Sequence, residues 1–242
     1  MKIVMFFIFV FCFGTILLAG PDVNTLSCDG IMQGLESHSK VNSVRELNDR
    51  QKWMNDLWLK QTMLTNEVER VKLTKELTQI LNSEKSSNED KCAAAYLIGL
   101  FRLKDGIKAL IKNILLWNKA ALEPDLTPAE GTCPAQNALI KIGEPAIPEI
   151  MTLIESTQDP YTLKYGAEVI LFLKGQEEGA QFLKQAMAEQ TDSKKKENLK
   201  ASLASEYFTD SKYHASGPEK KVKRVQAQKH QDMGVTNKLE GK

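Results

Sequence analysis

Three cysteines, Cys28, Cys92 and Cys133, are the residues of the chain body whose type supports covalent or redox chemistry. Cys92 and Cys133 each precede an alanine-rich apolar stretch, in KCAAAYLIGL and TCPAQNALIKI. If these stretches are neighbouring helices, their starts can bring the two Cα atoms within the ~4.4–6.8 Å that a disulfide needs. Two small buried hydrophobic residues are the alternative interpretation. The sequence thus allows a Cys92–Cys133 disulfide, with Cys28 as the odd thiol.

Histidine, a common residue of acid–base and metal sites, is scarce in this chain. The histidines are His38, His214 and His230, and none lies in the central body. This placement weakens metal, triad and general-base interpretations, and no Walker, HExxH or GxSxG motif is present. The close acids Glu177-Glu178 and Glu67/Glu69 point in different directions on a helix and predict solvated surface. We therefore predict no enzyme activity, and no catalytic, cofactor-binding or metal-binding residues.

A basic run is the second chemical feature, and its charges are Lys220, Lys221, Lys223 and Arg224. Segment 211–242 has seven lysines and one arginine against three acids, whereas the whole chain has a formal net charge of +1. The remaining body is thus mildly acidic, and we predict a disordered basic tail. The run could hold an anionic membrane surface, polymer or protein, or stay solvated without a specific partner. The low net charge provides no strong positive electrostatic potential to attract nucleic acid. We therefore do not expect nucleic acid as a partner.

The N-terminus predicts an export signal. Residues 3–18, IVMFFIFVFCFGTILL, follow Lys2 and precede the small residues Ala19 and Gly20. This is the layout of a cleaved signal peptide over residues 1–20. An uncleaved anchor is the alternative, although the run is short for a membrane-spanning helix. We expect a periplasmic or extracellular protein with no stable membrane span after cleavage.

The body between signal and tail predicts helices joined by short corners. In ALIKIGEPAIPEI (138–150), Gly143 supplies a left-handed stop and Pro145 a pre-set helix start. Asp159-Pro160 and Asp192-Ser193 are caps that begin later helices, and Gly175 is another stop. A helix over 106–117 would carry an apolar stripe that includes Ile111 and Leu115. No segment alternates convincingly with period two, so we predict an all-α fold.

A two-helix unit recurs along this body. The phrases GIKAL (106–110), AIPEI (146–150) and GAQFL (179–183) align at offsets of 40 and 33 residues. Apolar helices with small residues precede them, at Ala93, Ala94, Ala95, Ala135, Ala138, Gly166 and Ala167. A period of this length is typical of an α-solenoid of antiparallel helix pairs. We predict a polar lead-in at 21–41 and a helical-repeat domain at 42–210, made of capping helices (42–87), repeats (88–190) and a terminal helix (192–208).

On these residues the sequence resembles HEAT-repeat proteins, and residues 138–150 resemble the HEAT-like repeats associated with phycobilisome lyases. The matching positions all have packing roles and are Ala138, Leu139, Ile142, Gly143, Ala146, Ile147 and Ile150. The resemblance covers about residues 91–190 and implies an armadillo-like superhelix. It also implies a bilin-lyase-like enzyme as an alternative, although such enzymes act inside cells and the export signal argues against that.

These features predict a non-enzymatic, exported scaffold that binds a protein or peptide through its helical surface. Trp53, Trp58 and Trp117 are either part of that binding surface or core residues of the terminal helices. The alternative function is a structural or assembly protein of the cell envelope, anchored by the basic tail.

Overall fold

The computed structural model describes residues 26–38, 44–118 and 131–205. Within these ranges the regular structure is entirely helical, which confirms the all-α prediction. The helices are α1 (Cys28–Ser37), α2 (Val44–Leu59), α3 (Glu67–Asn82), α4 (Asn88–Leu100), α5 (Ile107–Lys112), α6 (Pro134–Ile142), α7 (Ile147–Ser156), α8 (Pro160–Lys174), α9 (Gln176–Glu189) and α10 (Ser193–Leu203). The predicted signal peptide and basic tail lie outside the described residues.

Side-chain caps fix where several helices begin. Ser87 accepts a hydrogen bond from the backbone N–H of the first turn of α4, and Asp159 and Asp192 do the same for α8 and α10. The two aspartate caps were expected from the sequence and are confirmed. The hydroxyl and the amide of Thr162 donate to Asp159 at 2.6 and 2.7 Å. These bonds hold the pKa of Asp159 below its usual value.

Glycine stops and tight corners join the helices. Gly143 and Gly175 follow α6 and α8 with φ of +91° and +82°, a backbone region that disfavours a Cβ. Both predicted stops are confirmed. Before α7, the N–H of Ala146 donates to the carbonyl of Gly143 at 2.9 Å. The corner before α5 is closed in the same way, by a 3.0 Å bond from Gly106 N–H to the Leu103 carbonyl.

The core is built by helices that approach through small residues. Helix α4 packs against α3 and α6, α6 against α8, and α5 against α7. A Cβ placed on Gly99 in α4 would lie 2.5 Å from the Cα of Ala138 in α6. The alanines named from the sequence are buried here: Ala93, Ala94, Ala95, Ala135, Ala138 and Ala167. Short side chains therefore set the spacing between these helices.

Helix α10 contacts more than its neighbour in the sequence, because it packs against α7 as well as α8 and α9. The side-chain amide of Asn198 donates to the carbonyls of Glu155 and Thr157 at 3.0 and 2.7 Å. Lys195 Nζ also lies 3.6 Å from Glu155 Oε2. These contacts satisfy carbonyls at the end of α7 and fix the last described helix there.

The segment expected to be a polar lead-in contains helix α1, whose Cys28, Ile31 and Leu35 are buried. The backbone N–H of Cys28 donates to Glu69 Oε2 of α3 at 2.6 Å. Glu69 thus anchors the start of α1, which differs from the solvated role expected for the Glu67/Glu69 pair. The contact joins residues distant in sequence, so helical periodicity could not indicate it.

Helix α5 is shorter than the helix predicted over 106–117. It ends at Lys112, because Asn113 leaves the helical region with φ −111° and ψ 26°. The Asn113 side chain donates to the carbonyl of Ala109 at 2.9 Å and competes with the continuing helix. Leu115, expected on the buried stripe, is 47% exposed as a result.

Candidate functional site

An open groove lies where α4 and α8 begin and α5 and α7 end. Its volume is about 590 Å³. We call it the cationic groove, and the lining residues that matter chemically are Lys91, Lys112, Leu115, Leu116, Leu153 and Thr162. Among the described residues, none of those that line it is acidic. The groove therefore combines apolar side chains with positive charge.

The early end of α5 creates the apolar part of this groove. After Asn113 the chain runs as turns, which keep Ile114 buried and leave Leu115 exposed. Trp117 beside it is 40% exposed. The side-chain amide of Asn88 donates to the Trp117 carbonyl at 3.1 Å and ties this segment to the start of α4. The exposed side chains are thus carried by an anchored backbone.

Two lysines supply the positive charge of this groove. Lys91 and Lys112 form no ion pair with an acid in the part of the chain that the structure describes. The N-termini of α4 and α8 also lie at the groove, but the Asp159 carboxylate caps α8 and acidic residues occupy the first turn of α4, so the lysines carry its positive charge. An extended or helical segment with apolar and carboxylate side chains complements this surface.

The three tryptophans differ in their exposure to solvent. Trp53 is half-buried against the core, and its ring centroid lies 5.4 Å from that of His38. Trp58 is 52% exposed, so it is a surface residue like Trp117. Trp117 alone of the three is next in sequence to residues that line the cationic groove.

The structure forms no disulfide among the three described cysteines, of which Cys28 and Cys92 are buried and Cys133 is half-buried. Cys92 Sγ lies 3.7 Å from Asn88 Oδ1, within sulfur hydrogen-bond distance. The Cys92–Cys133 disulfide stays a prediction, which a non-reducing peptide map of the native protein would test.

Cys133 belongs to a polar cluster between α6 and α8. Gln136 is buried and its side-chain amide donates to Glu168 Oε2 at 2.6 Å. Burial raises the pKa of the Cys133 thiol, the Tyr165 hydroxyl lowers it through a hydrogen bond, and the Glu168 charge raises it. The net direction is upward. A raised thiol pKa disfavours the thiolate that a nucleophilic or metal-binding cysteine needs.

Alkylation of Cys133 is expected to be slower at about pH 8 than that of an exposed cysteine, because less thiolate is present. Tyr165→Phe should slow it further by removing the hydroxyl that stabilises the thiolate. Glu168→Gln should accelerate it by removing a repulsive charge. Mass spectrometry of the labelled Cys133 peptide across a pH series gives the rates. Equal rates in all three proteins would contradict this account of the thiol.

The predicted contact residues Lys220, Lys221, Lys223 and Arg224 lie outside the described ranges, and their anionic partner stays a prediction. Among the residues described, no cluster of three or more His, Cys, Asp or Glu is placed to hold a metal ion. No helix in these ranges is both long and apolar enough to cross a membrane. Comparison with protein-family models, curated proteins and solved structures gives no match for this chain.

Proposed function

We propose that the protein is a non-enzymatic binding scaffold whose cationic groove holds an acidic, apolar segment of a protein partner. The supporting observation is that exposed Leu115 lines the same groove as Lys91 and Lys112, which form no ion pair with any described acid. Trp117, also exposed, is separated from Leu115 by one residue in the sequence. Burial of the apolar side chains would contribute favourable free energy, of which only the part left after the entropy cost of association appears as affinity. Carboxylates on the partner would pair with the lysines and fix its orientation.

An α-solenoid of HEAT-like helix pairs is the framework that we propose for this scaffold. Three observations support it: the succession of α4, α6 and α8, the packing of α5 on α7, and the matching corners at Gly106 and Ala146. Solenoids bind partners through extended surfaces with many shallow contacts. In this proposal α10, which packs back on α7, is the terminal cap.

We also propose that the scaffold acts outside the cytoplasm, in the periplasm or the extracellular space. The apolar run 3–18 and the small residues Ala19 and Gly20 support this location. The partner is then a protein of the envelope or of the surrounding medium.

The double substitution Lys91→Glu/Lys112→Glu is expected to reduce partner recovery about tenfold or more, because it replaces attraction with like-charge repulsion. The measurement is quantitative mass spectrometry of proteins that the immobilised protein retains from native extract of the source organism. Both positions are at the surface, and circular dichroism checks that the variant is folded.

Lys200→Glu is the matched control, since Lys200 is exposed on α10 and lies outside the lining of the groove. Its recovery of partner should equal that of the unsubstituted protein. Equal recovery by the double variant, or the absence of any stoichiometric partner, would overturn the proposed function.

A further inference from the structure

A second groove lies between α1, the end of α3 and the start of α4, with a volume of about 480 Å³. Its floor is apolar and its rim is acidic. We call it the acidic groove; the floor residues are Met32, Leu35 and Ile80, and the rim residues are Asp29, Glu36 and Asp90. No lysine or arginine is among the described residues that line it.

Asp90 places an unsatisfied negative group in this groove. Its Oδ1 is buried and has no hydrogen-bond partner within the described residues. A buried polar atom without a partner is unfavourable, more so when it is charged. Asp29 differs, because its Oδ1 lies 2.6 Å from Lys72 Nζ. A cationic side chain in the groove would stabilise the Asp90 charge electrostatically.

We propose that the acidic groove holds the basic run of the same chain, residues 220–225. This run, KKVKRV, alternates charge with small apolar side chains. Val222 and Val225 match the apolar floor, while Lys223 and Arg224 meet the acidic rim. Charge complementarity supports the pairing, since the tail is basic and the rest of the body is mildly acidic.

The length of the tail supports this pairing. About 14 residues connect Ser205 to Lys220, and their extended length is about 46–50 Å. Helices α3, α5, α7 and α10 pack in succession. The three steps between them span about 24–30 Å at the usual interaxial distance of about 8–10 Å. A tether of this kind gives the basic run an effective concentration in the millimolar range at the groove. Weak binding by a shallow groove is then enough to hold the run.

This docking gives the basic run an anionic partner within the molecule. Ser86 lines both grooves, so the docked tail would lie beside the cationic groove. An external anionic surface would then compete with the acidic groove for the same lysines.

Carbodiimide coupling of the purified protein tests the docking, because it joins lysine amines to carboxylates that are in direct contact. Links from Lys220, Lys221 or Lys223 to the acidic rim should exceed links to Glu177 and Glu197 at least about tenfold. Those two acids are exposed controls on other helices. In a mixture of ¹⁴N and ¹⁵N protein, every link should join peptides of one isotope. Links spread evenly over surface acids, or links joining two copies, would overturn the proposal.

Two variants distinguish the contribution of charge to the docking from that of apolar contact. Asp90→Asn should reduce the links at Asp29 and Glu36 about fivefold or more, and Glu197→Gln should leave them unchanged. Val222→Ser/Val225→Ser keeps every lysine and changes none of the described helices, yet should also reduce the links severalfold. Unchanged links in this tail variant would overturn the role of the apolar floor.

Discussion

Replacing Gly99 with leucine is expected to lower the free energy of unfolding by about 3 kcal/mol or more. The first added atom would lie 2.5 Å from the Cα of Ala138 and 2.7 Å from its Cβ. Because the Cα belongs to the backbone of α6, it cannot rotate aside as a long side chain could. Helices α4 and α6 would have to separate. Urea unfolding followed by circular dichroism measures the loss.

Ala201→Leu is the matched control, since it adds a leucine at an exposed position of α10. Its effect should stay within about 0.5 kcal/mol. If Gly99→Leu has as small an effect, the close approach of α4 and α6 is incorrect. A loss of about 3 kcal/mol would be a large part of the ~5–15 kcal/mol available to a typical domain.

Ile154→Ala should destabilise the protein by about 2–5 kcal/mol. Ile154 is fully buried at 0% exposure on α7. A Cβ on Gly166 of α8 would lie 2.9 Å from its Cγ1, so the two helices already meet closely here. Truncation would remove apolar contacts and leave a cavity between packed helices. The same unfolding experiment gives the value.

Leu115→Ala provides the comparison with an exposed branched side chain. About half of Leu115 is already in contact with solvent, so its truncation should cost about 1 kcal/mol or less. The variant should nevertheless lose partner recovery, because Leu115 lines the cationic groove. Equal destabilisation by Leu115→Ala and Ile154→Ala would show that the chain after Asn113 is packed and not exposed.

Local chemistry made much of the fold predictable from the sequence. The aspartate caps at 159 and 192 and the glycine stops at 143 and 175 depend on single residues and their immediate neighbours. The buried alanines follow from helical spacing within one segment. Such features need no knowledge of which helices meet.

The cationic groove was not predictable in the same way. A helix through Asn113 satisfies the apolar pattern better than the observed early end, where the Asn113 side chain bonds to the Ala109 carbonyl and competes with the helix. The early end leaves Leu115 and Trp117 exposed. An asparagine in an apolar stripe was the available signal, but asparagine is only a weak helix breaker.

Contacts between distant segments account for the remaining differences. Arg50 is buried, and its Nη2 donates to the Glu89 carbonyl at 2.6 Å, which ties α2 to α4. In the sequence Arg50 is one charged residue on a largely polar helix. The same holds for Glu69, which binds the start of α1, and for Asp90, which lines a groove with residues of α1 and α3. Periodicity reports a helix face but not its neighbour.

Site-specific photo-cross-linking tests the binding role of the cationic groove most directly. Benzoylphenylalanine is placed at position 115 and, as a control, at position 108, where the side chain of Lys108 is 83% exposed on α5. Illumination in native extract should join position 115 to one partner, through a peptide that contains acidic and apolar residues. Position 108 should give no such product. The same products from both positions, or none from position 115, would contradict the proposal that this groove is the binding surface.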